Sequence, residues 1–353
     1  MTFTLTAGSL KGVTRRGVRT LAATVAVAVW VGAALSGCGG AVAISAPPAG
    51  ASAYQLIQEP DEGYAPIVDL LDQARRSIRV TMYELADPAA TNALIAAHGR
   101  GVDVKVLLDA AFHGRETNTD AYDQLSAAGV GAHWAPDGVI YHQKTITVDD
   151  ARTAVGTGNL QARYYPTSRD AWVIDSDPGD VAAVAATFDA DYTAAPGGHP
   201  PAATTAPALV WSPAARATFL QLIDNATRSV DVTSEELKDR AVVRALDDAA
   251  QRGVACRVVM TANPAWTKSI HEVAAAGCSV HLFPDGENQL YMHEKILLAD
   301  RTALIIGSQN LTATSLLENR ELSLQLDTTT APNVVAAVAT TFDNDYNNAP
   351  PAA

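Results

Sequence analysis

Ser77-Ile-Arg-Val-Thr-Met-Tyr-Glu-Leu85 returns 152 positions later as Ser229-Val-Asp-Val-Thr-Ser-Glu-Glu-Leu237. At the same offset, Arg100-Gly-Val-Asp-Val-Lys-Val reappears as Arg252-Gly-Val-Ala-Cys-Arg-Val. Ala127-Ala-Gly recurs as Ala275-Ala-Gly, and Phe188-Asp-Ala-Asp-Tyr192 as Phe342-Asp-Asn-Asp-Tyr346. A repeat of this length is a whole domain and too long for a solenoid unit, so a complete fold has been duplicated. Within the first copy, Val80-Thr-Met-Tyr83 and Val104-Lys-Val-Leu-Leu108 have the length and β-branching of strands, and they flank an alanine-rich, helical-looking stretch from Ala89 to His98. Strand, helix and strand at that spacing predict an α/β class with mostly parallel sheets covered by helices. The segments after Tyr141 read as strands joined by short turns, which makes each sheet mixed.

Outside the repeats, the chain divides by composition. Lys11, Arg15, Arg16 and Arg19 precede an uncharged apolar run from Leu21 to Leu35, the pattern of an export signal over residues 1–37. Leu35-Ser36-Gly37-Cys38 resembles the lipobox of bacterial lipoproteins, which implies lipidation at Cys38 and a protein that is exported and either anchored to the cell membrane or secreted. Residues 38–53, rich in Gly, Ala, Ser and Pro, read as a flexible tether. A Pro- and Gly-rich stretch, 194–207, separates the halves 54–193 and 208–353. Loss of the leader removes four positive and no negative charges, taking the formal charge from −13 to −17. So acidic a body is poorly suited to polyanions such as nucleic acid. Cys256 and Cys278 lie in consecutive apolar segments and permit either a disulfide or two unpaired buried thiols.

Two clusters carry chemistry. His142-Gln-Lys144-Thr-Ile-Thr-Val-Asp149 is followed after six residues by Gly156-Thr-Gly-Asn159. His293-Glu-Lys295-Ile-Leu-Leu-Ala-Asp300 is followed, at the same spacing, by Gly307-Ser-Gln-Asn310. On a strand, residues two apart share a face, so each imidazole and ammonium converge on one anion. Asn159 and Asn310 can present amides to it. Asp170 and Glu321, each 28 residues after a histidine, are placed to accept a hydrogen bond from the imidazole of their own copy. Asp149 and Asp300 fall on the opposite parity and read as supporting residues. One such His-Lys pair is usually a solvated strand face, whereas two full copies in register are not coincidence. One imidazole beside an ammonium is a poor metal set, so no cofactor is expected. His98, His113, His133, His199, His271 and His281 lack this setting and read as surface or packing residues.

These clusters resemble the duplicated His-x-Lys-x4-Asp-x6-Gly-Ser-x-Asn motif of the phospholipase D superfamily, over a span from about Tyr54 to Tyr346. Thr157 stands where Ser is usual, and Asp170 where the later acid is often Glu. The resemblance implies a pseudo-dimer of two halves sharing one active site. It also implies a metal-independent phosphodiesterase, with His142 as nucleophile, His293 as acid and base, and Lys144, Lys295, Asn159 and Asn310 around the phosphoryl oxygens. The expected substrate is a phospholipid head-group diester at a membrane surface. An exported nuclease on DNA or RNA is the alternative, phosphatidyl transfer a third, and a silent phosphate-binding surface lipoprotein the reading from another class. A duplicated site needs no protein partner to complete it, so a monomer is expected.

Overall fold

The structure is a computed structural model that describes residues 52–195 and 197–352. The leader 1–37, Cys38 and nearly all of the tether lie outside the described residues. The first half contains β1 (Tyr54–Glu59), β2 (Ser77–Met82), β3 (Asp103–Leu108), β4 (Gly131–Trp134), β5 (Lys144–Val148), β6 (Arg152–Gly156) and β7 (Ser168–Asp175). The second contains β8 (Leu209–Ser212), β9 (Ser229–Thr233), β10 (Ala255–Thr261), β11 (Ser279–Phe283), β12 (Tyr291–Met292), β13 (Ile296–Ala299), β14 (Ala303–Gly307) and β15 (Glu321–Asp327).

The sheet orders are β1-β7-β6-β5-β2-β3-β4 and β8-β15-β14-β13-β9-β10-β11, the same path traced twice. Both sheets are mixed, but parallel pairing along the two paths is confined to β2–β3–β4 and β9–β10–β11. The other pairings along each path are antiparallel, so the expectation of mostly parallel sheets is corrected. The reason lies in the connections: helical crossovers demand parallel neighbours, whereas the tight turns after β5 and β13 reverse the chain. Asp149 and Asp150, like Asp300 and Arg301, hold these turns with positive φ, which Asp tolerates better than most residues.

The crossover helices are built from the sequence in matching ways. Asp87 caps the helix Pro88–Gly99 by accepting from the Ala89 amide at 2.8 Å, and Asp239 caps Arg240–Gln251 by accepting from the Ala241 and Val242 amides. Val242, Leu246 and Ala249 face the core of their half at helical spacing. Each half has its own apolar core, and a third cluster joins the two. In it, Val155 and Val173 of the first sheet meet Ile306, Leu322 and Leu324 of the second, with Val184 and Val335 from the helices Pro178–Ala194 and Pro332–Asn348. Burying each such side chain contributes roughly 1.5–3 kcal/mol, enough in sum to hold the halves as one body. Ala203 and Ala206, in the segment between the halves, pack against the same cluster. Cys256 and Cys278 form a buried disulfide between β10 and the start of β11.

One strand does not stay in its own half. β12 pairs in parallel with β7 of the first sheet, with Tyr291 opposite Ser168 and Met292 opposite Arg169. The Arg320 amide reciprocates by donating to the Ile140 carbonyl at 2.9 Å. The segments leading into His293 and Glu321 are thereby stitched to the other half.

Candidate active site

His142 and His293 lie two and three residues before the starts of β5 and β13, and both line one cavity of about 1020 Å3 between the halves. Lys144 pairs with Met82 at the end of β2; it and Lys295 are buried, and neither is among the residues that line the cavity. Lys144 donates to the His142 carbonyl at 2.6 Å, and Lys295 makes the equivalent bond to His293. Asn159 and Asn310 line the same cavity. Gly307 permits the turn before Asn310, because a Cβ there would collide with the backbone of Leu322 and Ser323.

The acids are exchanged between the halves. His142 Nδ1 lies 2.8 Å from Glu321 Oε2, and His293 Nδ1 lies 2.8 Å from Asp170 Oδ1. The expectation that each acid serves the histidine of its own copy is therefore corrected. The crossing follows from the exchanged segments, which carry each histidine toward the last sheet strands of the other half. Asn319 supports Glu321 with a bond of 2.9 Å, while Thr157 and Ser168 donate to Asp170 at 2.7 and 2.5 Å. Thr157 thus supplies its hydroxyl where the motif usually has Ser.

Burial, opposed by Glu321 and aided by Lys144 and Lys295, takes His142 down to about 4. Burial works against ionisation of Glu321, but the hydrogen bond from His142, the Lys144 charge and the bond from Asn319 hold the carboxyl below its usual value. The pair is a neutral ring donating from Nδ1 to a carboxylate, which leaves Nε2 with its lone pair. His293 faces carboxylates at both nitrogens, Asp170 at Nδ1 and Glu235 at Nε2, the latter 3.3 Å away. Burial and the Lys295 charge bring Lys144 down to about 7.

Asp149 and Asp300 touch none of these groups. The Asp149 carboxylate accepts from the amides of Arg75, Arg76 and Ser77, and Asp300 accepts from those of Thr227, Arg228 and Ser229. Each ties a hairpin turn to the segment entering β2 or β9.

Four cavity residues were not legible as such. Tyr83, Glu84 and Glu235 belong to the quoted repeat, and their place just past β2 and β9, next to the lysines, was the available signal. His113, read from sequence as a surface or packing residue, instead lines the cavity, with Nδ1 2.9 Å from Glu84 Oε1 and Nε2 3.2 Å from the Tyr83 hydroxyl. Its loop gave no local sign of this. His133 and His281 stack on Tyr192 and Tyr346 away from the site. Among the described residues, no group of three or more His, Cys, Asp or Glu side chains is arranged to hold a metal ion.

The family model described as cardiolipin synthase, PLD-like domain, matches residues 67–192 and again 219–346. This chain belongs to the phospholipase D-like family. Its relatives in that family include a phospholipase D of Rickettsia bellii (strain RML369-C), 35% identical over 96 residues, covering 27% of this chain and 47% of the relative. Another is cardiolipin synthase A of Pseudomonas entomophila (strain L48), 28% identical over 231 residues, 57% of this chain and 47% of the relative. The chain thus spans less than half the length of these curated relatives. Among solved structures, the phosphatidylserine synthase of Haemophilus influenzae Rd KW20 superposes with a TM-score of 0.62 at 14% identity, covering 84% of this chain and 86% of that one. The polyphosphate kinase of Porphyromonas gingivalis gives 0.59 at 17% identity, covering 82% of this chain and 50% of that one. At such identities the likeness is one of fold, and the phospholipase D-like fold is what they share with this chain.

Proposed function

We propose that this chain is a phosphodiesterase that hydrolyses phospholipid head-group diesters through a phosphohistidine, without a metal. The observation that carries the reading is a pair of imidazoles on one cavity, each bonded at Nδ1 to a carboxylate of the other half. His142 is neutral with a free Nε2, and His293 stands between two carboxylates. A nucleophile must be unprotonated and an acid must hold a proton, and the free Nε2 of His142 favours that ring for the first role. His142 Nε2 attacks phosphorus, and the bond to the departing oxygen breaks as His293 protonates it. Water, deprotonated by His293, then attacks phosphorus, and the P–N bond breaks to release phosphatidate and regenerate His142. Lys144, Lys295 and the two asparagine amides balance the charge on the nonbridging oxygens.

The cavity lining favours lipid over nucleic acid, since Glu84, Glu235, Glu236, Asp285 and Glu287 all contribute carboxylates to it. Export, with lipidation at Cys38 or secretion, is part of the same proposal. The buried disulfide fits an oxidising compartment. The test is direct: incubate the protein with phosphatidylcholine vesicles, and separately with plasmid, without added metal. Choline release that is lost in His142→Ala supports the reading. Strand scission without choline release contradicts it.

A further inference from the structure

Each asparagine amide meets a carboxylate, Asn159 that of Glu84 and Asn310 that of Glu235, but only Glu235 also reaches the lysine and histidine of its half-site. Tyr83 and Glu235 hold equivalent positions, each two residues before the leucines that bridge to Leu160 and Leu311. Tyr83 sets a neutral ring beside its half-site, with its centroid 4.6 Å from that of His142 and 5.0 Å from Lys144 Nζ. Glu235 sets a carboxylate on the matching groups. Its Oε2 lies 3.0 Å from Lys295 Nζ, 3.3 Å from His293 Nε2 and 3.3 Å from Asn310 Nδ2, while Oε1 accepts from the Tyr291 hydroxyl at 3.1 Å. An ammonium, an imidazole and an amide are the donors that would face phosphoryl and departing oxygens, so the carboxylate occupies an oxyanion seat. Burial disfavours its charge, but His293 and Lys295 outweigh burial and hold Glu235 well below the usual carboxylate range.

Two more observations say what the seat's surroundings suit. Asn310 is only 5% exposed, yet its Oδ1, an acceptor at the cavity, has no partner. Glu236, Asp285 and Glu287 line the cavity from the same half as His293, whereas the first half contributes Glu84 and Asp170 together with Tyr64, Tyr164 and Arg163. With Glu235, four of these six acids come from the half that carries His293, which would protonate the departing oxygen.

We infer that Glu235 selects phosphodiesters whose departing alcohol carries a positive charge, an amine or a quaternary ammonium. The inference rests on the reading above, in which His293 is the acid. When the phosphoryl group enters, its anionic oxygens take Lys295 and Asn310 from Glu235, and two like charges share a cavity of low dielectric. A cationic alcohol on the His293 side balances the displaced carboxylate. A neutral alcohol leaves it unbalanced, and substrate binds less well.

The test uses the full chain and two soluble diesters, dihexanoylphosphatidylcholine and dihexanoylphosphatidylglycerol, below their micellar concentrations so that surface adsorption plays no part. The wild-type protein should favour the choline diester in kcat/KM by about tenfold or more, the scale of one well-placed charge interaction. In Glu235→Gln that ratio should fall by about tenfold, mainly through KM, and inorganic phosphate should inhibit at lower concentration because the seat is no longer held by an anion. Glu287→Gln, exposed at the rim, should lower the same ratio by a smaller factor and serves if the first variant does not fold. An unchanged ratio in these variants, or a wild-type preference for the glycerol diester, overturns the inference and leaves the diesterase reading standing. Absence of turnover on both diesters overturns that reading, and the inference with it.

Discussion

His142 and Glu321, 179 positions apart and in different halves, meet through a single hydrogen bond of 2.8 Å between Nδ1 and Oε2. The bond orients the ring and fixes its tautomer, so Nε2 is left free toward the cavity. Each histidine is therefore oriented by a carboxylate of the other half.

Glu321→Gln should reduce kcat by about a hundredfold or more, the usual cost of losing the group that sets a catalytic imidazole. Asp170→Asn should do the same through His293. Steady-state rates on a soluble diester, with thermal melts to show retained folding, check both. Rates within about threefold of wild type would mean that the crossed pairs do not orient the catalytic rings.

His142, lowered to about 4 by burial, is neutral and nucleophilic above that pH. Lys144, lowered to about 7 by burial and Lys295, carries its charge below that pH. The kcat/KM profile should therefore fall off at its acid end near 4 and begin to decline on the alkaline side near 7, a bell between these limits. An acid limb near 6.5, the ordinary histidine value, would contradict the assigned state of His142.

Asp300→Ala should destabilise the protein by about 1–3 kcal/mol while leaving kcat per folded molecule unchanged, since the side chain satisfies backbone amides away from the cavity. Burial slightly opposes its charge, but the Ser229, Arg228 and Thr227 donors hold the carboxyl down to about 2. This contribution is fully present above the unfolded carboxyl pKa and is lost as pH falls toward 2. Denaturant titrations at pH 7 and pH 3 read both effects. A large loss of kcat would return Asp300 to the chemistry.

Reducing the Cys256–Cys278 bridge, which closes a loop of 22 residues, should lower unfolding free energy by about 3 kcal/mol. Chemical denaturation with and without reductant measures the difference. No change would mean that the thiols are unpaired in the protein as made.

Much of this was legible in the chain itself. Duplication follows from Ser77–Leu85 and Ser229–Leu237, and the candidate site residues follow from His142, Lys144, His293 and Lys295 recurring in register. The structural role of Asp149 and Asp300 followed from strand parity. These are local properties, because side-chain direction along a strand and spacing within a motif depend on the backbone alone. Less local features were misjudged. The share of parallel strands was overstated, and His113 was passed over because only folding brings its loop against Glu84 and Tyr83.

The sequence by itself determined that one fold was used twice and which residue types stand ready for phosphoryl chemistry. Tertiary structure alone decided the partners: Glu321 for His142, Asp170 for His293, and Glu235 across the donors of the second half-site. A repeat carries the same letters in both copies and so cannot say whether an acid turns to its own histidine or to the other. That choice is made by β12 pairing with β7, and by the apolar surface buried where the halves close, between residues far apart along the chain.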